Sequence, residues 1–122
     1  MQPRALKYIL DIQSLILEIE SFVELTGHDF FRYRSQPIVK RAIERDLEII
    51  GEAVRQIQIT HPELQISSSK KIIGLRNLLA HAYDSIDDEL IWSIVRRDLP
   101  QLKREIDLLL NDAFPQSAES EG

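Results

Sequence analysis

Cysteine is absent from this chain, so neither a disulfide nor a thiolate metal ligand can form, and a secreted, covalently stapled domain is disfavoured. Long apolar runs are absent too. No stretch approaches the ~20 residues of a membrane span, and Asp11 interrupts the first hydrophobic segment where a signal peptide would be continuous. A soluble, cytoplasmic protein without membrane attachment is the expectation. A basic excess is also missing: 15 Lys and Arg stand against 20 Asp and Glu, a formal net charge of −5. The whole molecule therefore lacks the basic footprint usual in nucleic-acid binders. Neither an internal repeat nor strand-like alternation of apolar and polar residues is found.

What remains is helical periodicity. With 122 residues, 43% of them hydrophobic, the chain suits one domain with one core. Arg4 to Leu25 carries Leu6, Ile9, Leu10, Ile12, Leu15, Ile16, Ile19, Phe22 and Val23 at three- and four-residue spacing, a long amphipathic helix. Its apolar face is wide enough to touch two neighbours, which hints at a partner surface beyond the monomer core. Gly27 is placed to end it. A second helix is expected from Pro37 to Ile59, with Gly51 in its middle read as a point of close packing rather than a break. The proline after His61 ends it.

Ser67, Ser68 and Ser69 offer N-caps for a third helix. Asp84 or Ser85 can cap a fourth, whose apolar row Ile91, Val95, Leu99, Leu102, Ile106 and Leu109 stays in phase across Pro100. One helix kinked at that proline is predicted. The expected architecture is all-α, an antiparallel bundle of four main helices over residues 1–114. A frayed polar tail is expected over 115–122.

The third helix holds Arg76-Asn77-Leu78-Leu79-Ala80-His81-Ala82-Tyr83. At ~100° per residue, Ile72, Leu75, Leu79 and Ala82 line an apolar stripe, and Asn77 and His81 form a row beside it. Arginine presents a permanently charged planar fork suited to phosphate oxygens. Histidine titrates near neutrality and can move a proton within a turnover. Together they could cleave RNA without metal: a base takes the 2′-hydroxyl proton, that oxygen attacks phosphorus, and the arginine stabilises the charge developed. The leaving 5′-oxygen needs an acid as well. A two-fold dimer that faces two copies of this helix would supply two histidines and two arginines.

Spacing alone leaves surface decoration open for such a pair. Asn77 could bond His81 or merely stabilise a turn. His28 and His61 read as loop or cap residues, the three histidines do not have metal-ligand spacing, and Trp92, Phe22, Phe30, Phe31 and Phe114 read as packing rather than base stacking. Most basic residues between Arg32 and Arg55 read as a solvated helix surface.

Arg76-x4-His81-x-Tyr83, preceded by Ile72-Ile73-Gly74-Leu75 and followed by Asp84-Ser85-Ile86-Asp87, resembles the signature of the HepT-like toxins, the DUF86 branch of the HEPN superfamily. Arg45 to Ala53 resembles that family's central helix, and the likeness extends from about Lys7 to Leu110. The resemblance implies a cytoplasmic, all-helical, homodimeric ribonuclease toxin using Arg76 and His81 at a composite cleft, without metal or cofactor. It also implies an antitoxin of the MntA or minimal nucleotidyltransferase type, which neutralises the toxin by binding and by transferring AMP to Tyr83. Ala82, where the family often has an acidic or polar residue, and the Ser67 to Lys71 approach, where a Pro-Trp pair is common, depart from the pattern. Arg45 and Glu52 are candidates to support the cleft or to pair within their own helix. A catalytically silent partner of a nucleotidyltransferase is the rival reading.

Overall fold

Helical periodicity, not local propensity alone, decides which segments the computed structural model orders. It describes residues 2–81 and 86–114, and every regular element among them is helical. Helix α1, Pro3–Leu25, begins with a proline whose missing N–H costs nothing in a first turn. It buries Ile9, Ile12, Ile16, Ile19 and Val23, the three- and four-residue spacing that keeps one face on the core. Each such side chain contributes roughly 1.5–3 kcal/mol when fully removed from water. Thr26 closes the helix, its hydroxyl donating to the Val23 carbonyl at 2.6 Å. Gly27 and His28 then both adopt left-handed backbone, φ 63° and 58°, which turns the chain through a sharp corner.

A short helix, α2, Phe30–Arg34, follows where no element was expected. Five residues are too few for periodicity to register, and the element rests on Asp29, whose carboxylate accepts from the backbone N–H of Phe31 and Arg32. Helix α3, Pro37–Thr60, buries Ile43, Leu47, Ile50, Val54 and Ile57, and ends at His61 ahead of proline. Helix α4, Ser69–His81, buries Ile72 and Leu75 and runs back along α3. Ala82 to Ser85, including the expected caps Asp84 and Ser85 and the motif tyrosine Tyr83, and the expected tail 115–122, lie outside the described residues.

The next helix starts at Asp88, capped by Asp87, whose Oδ1 accepts from Glu89 N–H at 2.9 Å. It reads Asp88–Ser93 (α5), a π-helical turn Ile94–Asp98, and Leu99–Ala113 (α6). The irregularity expected at the proline takes the form of a widened turn just before it. The ring of Pro100 lacks an N–H and crowds the carbonyl one turn back, and the chain widens that preceding turn, so that Leu99 N–H reaches the Ile94 carbonyl five residues away. The apolar row survives the widening: Ile91, Val95, Leu99, Leu102 and Ile106 are all buried. In the assembled bundle α1 packs on α3 and α6, α3 on α4, and α2 against α3 and α5. Both neighbours anticipated for α1 therefore lie within the chain, yet Leu10 and Leu17 on its far side remain exposed.

Candidate active site

Gly51 is where the site begins. A methyl group there would sit 2.3 Å from Arg76 Cβ and 3.0 Å from the Ile72 carbonyl oxygen, so only glycine lets α3 and α4 cross this closely. The crossing lays the Arg76 side chain along α3. Its Nε stands 3.3 Å from Glu52 Oε1. Both are buried atoms without an aligned hydrogen bond among the described residues, so their attraction is that of an ion pair. Arg76 Nη1 donates to Asn77 Oδ1 at 3.0 Å. The other oxygen of Glu52 accepts from Gln56 Nε2 at 3.0 Å and Arg55 Nη1 at 3.3 Å. Glu52 is therefore a hub that fixes the path of Arg76, and among the described residues the Nη2 edge of the fork makes no hydrogen bond.

With its side chain 28% exposed, Arg76 borders an open cleft of about 270 Å³ together with Tyr8, Asp11, Arg45, Glu48, Ile49, Glu52 and Ala53. Arg45 pairs with Glu48 on its own helix, at 3.5 Å, so of the two supporting candidates Glu52 crosses to α4 and Arg45 does not.

His81 is the last residue of α4 and is exposed. Five residues beyond Arg76, it is rotated by about 140° and displaced by about 7.5 Å along the axis. It does not border the cleft that holds Arg76. Asn77, placed by its spacing to reach His81, instead accepts from Arg76. Arg76, Asn77 and Glu52 are thus in contact, and among the described residues no hydrogen bond or ion pair joins His81 to them.

The remaining histidines serve the scaffold. His61 caps α3 and meets Thr60 Oγ1 at 2.8 Å. His28 lies between Glu24 Oε1 at 2.9 Å and Arg96 Nη1 at 3.0 Å. Among the described residues no three His, Asp or Glu side chains gather as a metal-holding group, and no helix is long and apolar enough to cross a membrane.

One carboxyl on α3 is strongly perturbed. Asp46 on α3 is 6% exposed, and burial, reinforced by the neighbouring Glu18 carboxylate of α1, pushes the carboxyl up to about 7. Nothing in the sequence signalled this: Asp46 follows Arg45 in a run of charges that reads as solvated surface.

Residues 12–109 match the family model described as Ribonuclease HepT-like. Among similar proteins, one from Methanocaldococcus jannaschii bearing the name "Putative RNase MJ1380" is 38% identical over 81% of this chain and 96% of its own. One from Caldanaerobacter subterraneus subsp. tengcongensis, "Putative RNase TTE0752", is 30% identical over 81% of this chain and 90% of its own. "Probable ribonuclease HepT" of Thermococcus cleftensis is 34% identical over 84% of this chain and 92% of its own. No solved structure matches the chain. The matched span takes in α3, the glycine crossing and the whole Arg76 to His81 segment, and on it the chain belongs to the HepT-like ribonuclease family.

Proposed function

We propose that the protein is a metal-independent endoribonuclease toxin that works as a homodimer. Arg76 stabilises charge on the non-bridging phosphate oxygens, His81 transfers protons at the 2′- and 5′-oxygens, and Asn77 holds Arg76 in place. The observation that carries this reading is the exposure of His81 at the end of α4, turned by about 140° from Arg76. A single chain thus presents an anchored phosphate ligand and a displaced proton carrier, and a second chain related by a two-fold axis can bring its own His81 to the first chain's Arg76. The relatives' names as ribonucleases support the reaction class.

Regulation follows the same logic. A nucleotidyltransferase antitoxin of the MntA type would bind the toxin and transfer AMP to Tyr83, two residues from His81. The transfer forms a bond from the tyrosine oxygen to the α-phosphorus of ATP and releases pyrophosphate. The added phosphate places negative charge and bulk where an RNA phosphate must enter and competes for Arg76.

A second reading, a catalytically silent helical partner of such a nucleotidyltransferase, is favoured by one observation: Arg76 already has an intramolecular carboxylate partner in Glu52. Cleavage of a mixed RNA pool in excess EDTA, by the parent, Arg76→Ala and His81→Ala proteins, decides between them. Cutting by the parent alone, with 2′,3′-cyclic phosphate ends, is expected. Loss of cutting by all three, with nucleotidyltransferase binding retained, would establish the silent partner.

A further inference from the structure

Helix α2 and the adjoining π turn carry a group of side chains that the Arg76 to His81 site does not use. Phe31 is 66% exposed, a large apolar ring left in water, while Tyr33 is buried and Phe30 and Trp92 are partly buried. Phe30, Tyr33 and Trp92 pack as a cluster, Tyr33 and Trp92 with centroids 5.1 Å apart, and Phe31 meets that cluster only edge-on through Phe30 at 5.7 Å. The Arg34 guanidinium stands 5.2 Å from the Phe31 centroid and 5.7 Å from that of Phe30. Arg96, on the π turn, stands 5.8 Å from the Trp92 centroid and donates to His28. Arg32 extends over Gly27 at the corner between α1 and α2.

The charge of this face is decided by which acids are already engaged. Asp29 caps α2, Glu24 holds His28, and Asp88 pairs with Lys40 at 2.9 Å. Arg32, Arg34 and Arg96 are exposed and have no carboxylate partner among the described residues. Three exposed arginines thus surround one exposed aromatic ring in a chain of net charge −5, with Asp88 neutralised by Lys40 and Asp29 and Glu24 turned to a cap and to His28. The face also lies at the His81 end of the bundle. Helix α4 runs back toward the start of α3, and the Lys40 to Asp88 pair ties that start to the beginning of α5, against which α2 packs.

We propose that Phe31, with Arg32, Arg34 and Arg96, forms a platform that holds single-stranded RNA flanking the scissile bond, one base stacking on Phe31 while the guanidinium groups take the adjacent phosphates. Stacking tolerates any base because every base has a π-face, and arginine contributes both charge and planar stacking. The proposal rests on the ribonuclease reading and extends it from the reacting phosphate to the nucleotides beside it. A second copy of this chain is a poor occupant, because a two-fold contact through this face would bring two sets of exposed arginines together.

Binding of a labelled 2′-O-methyl oligonucleotide of roughly 12 residues, within the site sizes of single-strand binders, tests the platform. Such RNA has no free 2′-hydroxyl and cannot be cut by the proposed chemistry, so binding is read apart from cleavage. Phe31→Ala and Arg34→Ala are expected to raise Kd by about 5- to 50-fold, and Phe31→Trp to restore it. Arg34→Ala should also flatten the dependence of log Kd on log salt by about one unit. Ile59→Ala, which removes another exposed apolar group far along α3, serves as the control and should bind like the parent.

A Kd for Phe31→Ala equal to that of Ile59→Ala would overturn the platform, as would a parent that does not bind the oligonucleotide. So would an unchanged RNA affinity accompanied by loss of a protein complex, which would mark a protein-docking surface. A parent that binds but never cuts cleavable RNA, with binding lost in Phe31→Ala, would keep the platform and remove the ribonuclease reading.

Discussion

Asp46 holds a proton because the alternative is a charge in a nearly closed space facing Glu18. Its carboxyl is raised from 3.8 to about 7 in the folded chain, so the native state binds more protons than the unfolded state between those values. Linkage then makes its contribution to stability full below about pH 4 and lost as pH rises through about 7. Asp46→Asn keeps the shape and cannot ionise. The stability of this variant relative to the parent should therefore grow from pH 4 to 7 and level off above it, by about 4 kcal/mol at most. Urea unfolding across that range checks the sign, and a difference independent of pH would refute the assignment. Glu52 is a positioning residue, since it touches Arg76 rather than a substrate. Glu52→Ala should lower kcat/KM for RNA by roughly tenfold, an effect of about 1.4 kcal/mol on the transition state. Melting temperature should change little, and Glu52→Gln, which keeps the shape and removes the charge, should lose about as much activity as Glu52→Ala. A Gln variant as active as the parent would mean that the charge at position 52 is irrelevant to Arg76.

The α3 to α4 crossing sets the element scale. Gly51→Ala brings a methyl group against a Cβ and a backbone carbonyl, neither of which can swing aside. Overpacking of this kind costs roughly 1–3 kcal/mol and outweighs the ~1 kcal/mol that alanine gains over glycine in helix propensity. The variant is expected to unfold at lower urea and to lose cleavage together with stability, because α4 carries Arg76; an alanine variant as stable as the parent would contradict the crossing. This glycine was legible as a close approach because it stands in mid-helix, where only packing justifies its propensity cost. The long helices were legible for the same kind of reason: Ile9 to Val23 and Ile43 to Ile57 repeat over many turns. Helix α2 was not, since its five residues are specified by one cap at Asp29. The π turn escaped too, because the row Ile91 to Ile106 fits either a proline kink or a widened turn, and hydrogen bonding rather than hydrophobicity chooses between them. At the site, Arg76 and His81 were visible as residue types in a motif, whereas the hold of Glu52 on Arg76 depends on two helices meeting 24 residues apart in sequence.

At the scale of the whole molecule, the separation of Arg76 from His81 sets a requirement on assembly. If one chain sufficed, its arginine would have to leave Glu52 and Asn77 and swing around α4 to meet its own histidine. If two chains combine, each arginine stays anchored and the partner's helix end supplies the proton carrier, so cleavage depends on protomer concentration and on which chain carries which residue. Mixing inactive Arg76→Ala and His81→Ala proteins under exchange conditions tests this directly. A mixed dimer contains one intact arginine and one intact histidine on opposite chains, and the trans arrangement predicts that cleavage reappears above the sum of the separate proteins. A cis arrangement predicts none, since neither chain holds both groups. Sedimentation of the same mixture identifies whether dimers formed, so that silence in the presence of mixed dimers would reject a trans site built from one arginine and one histidine.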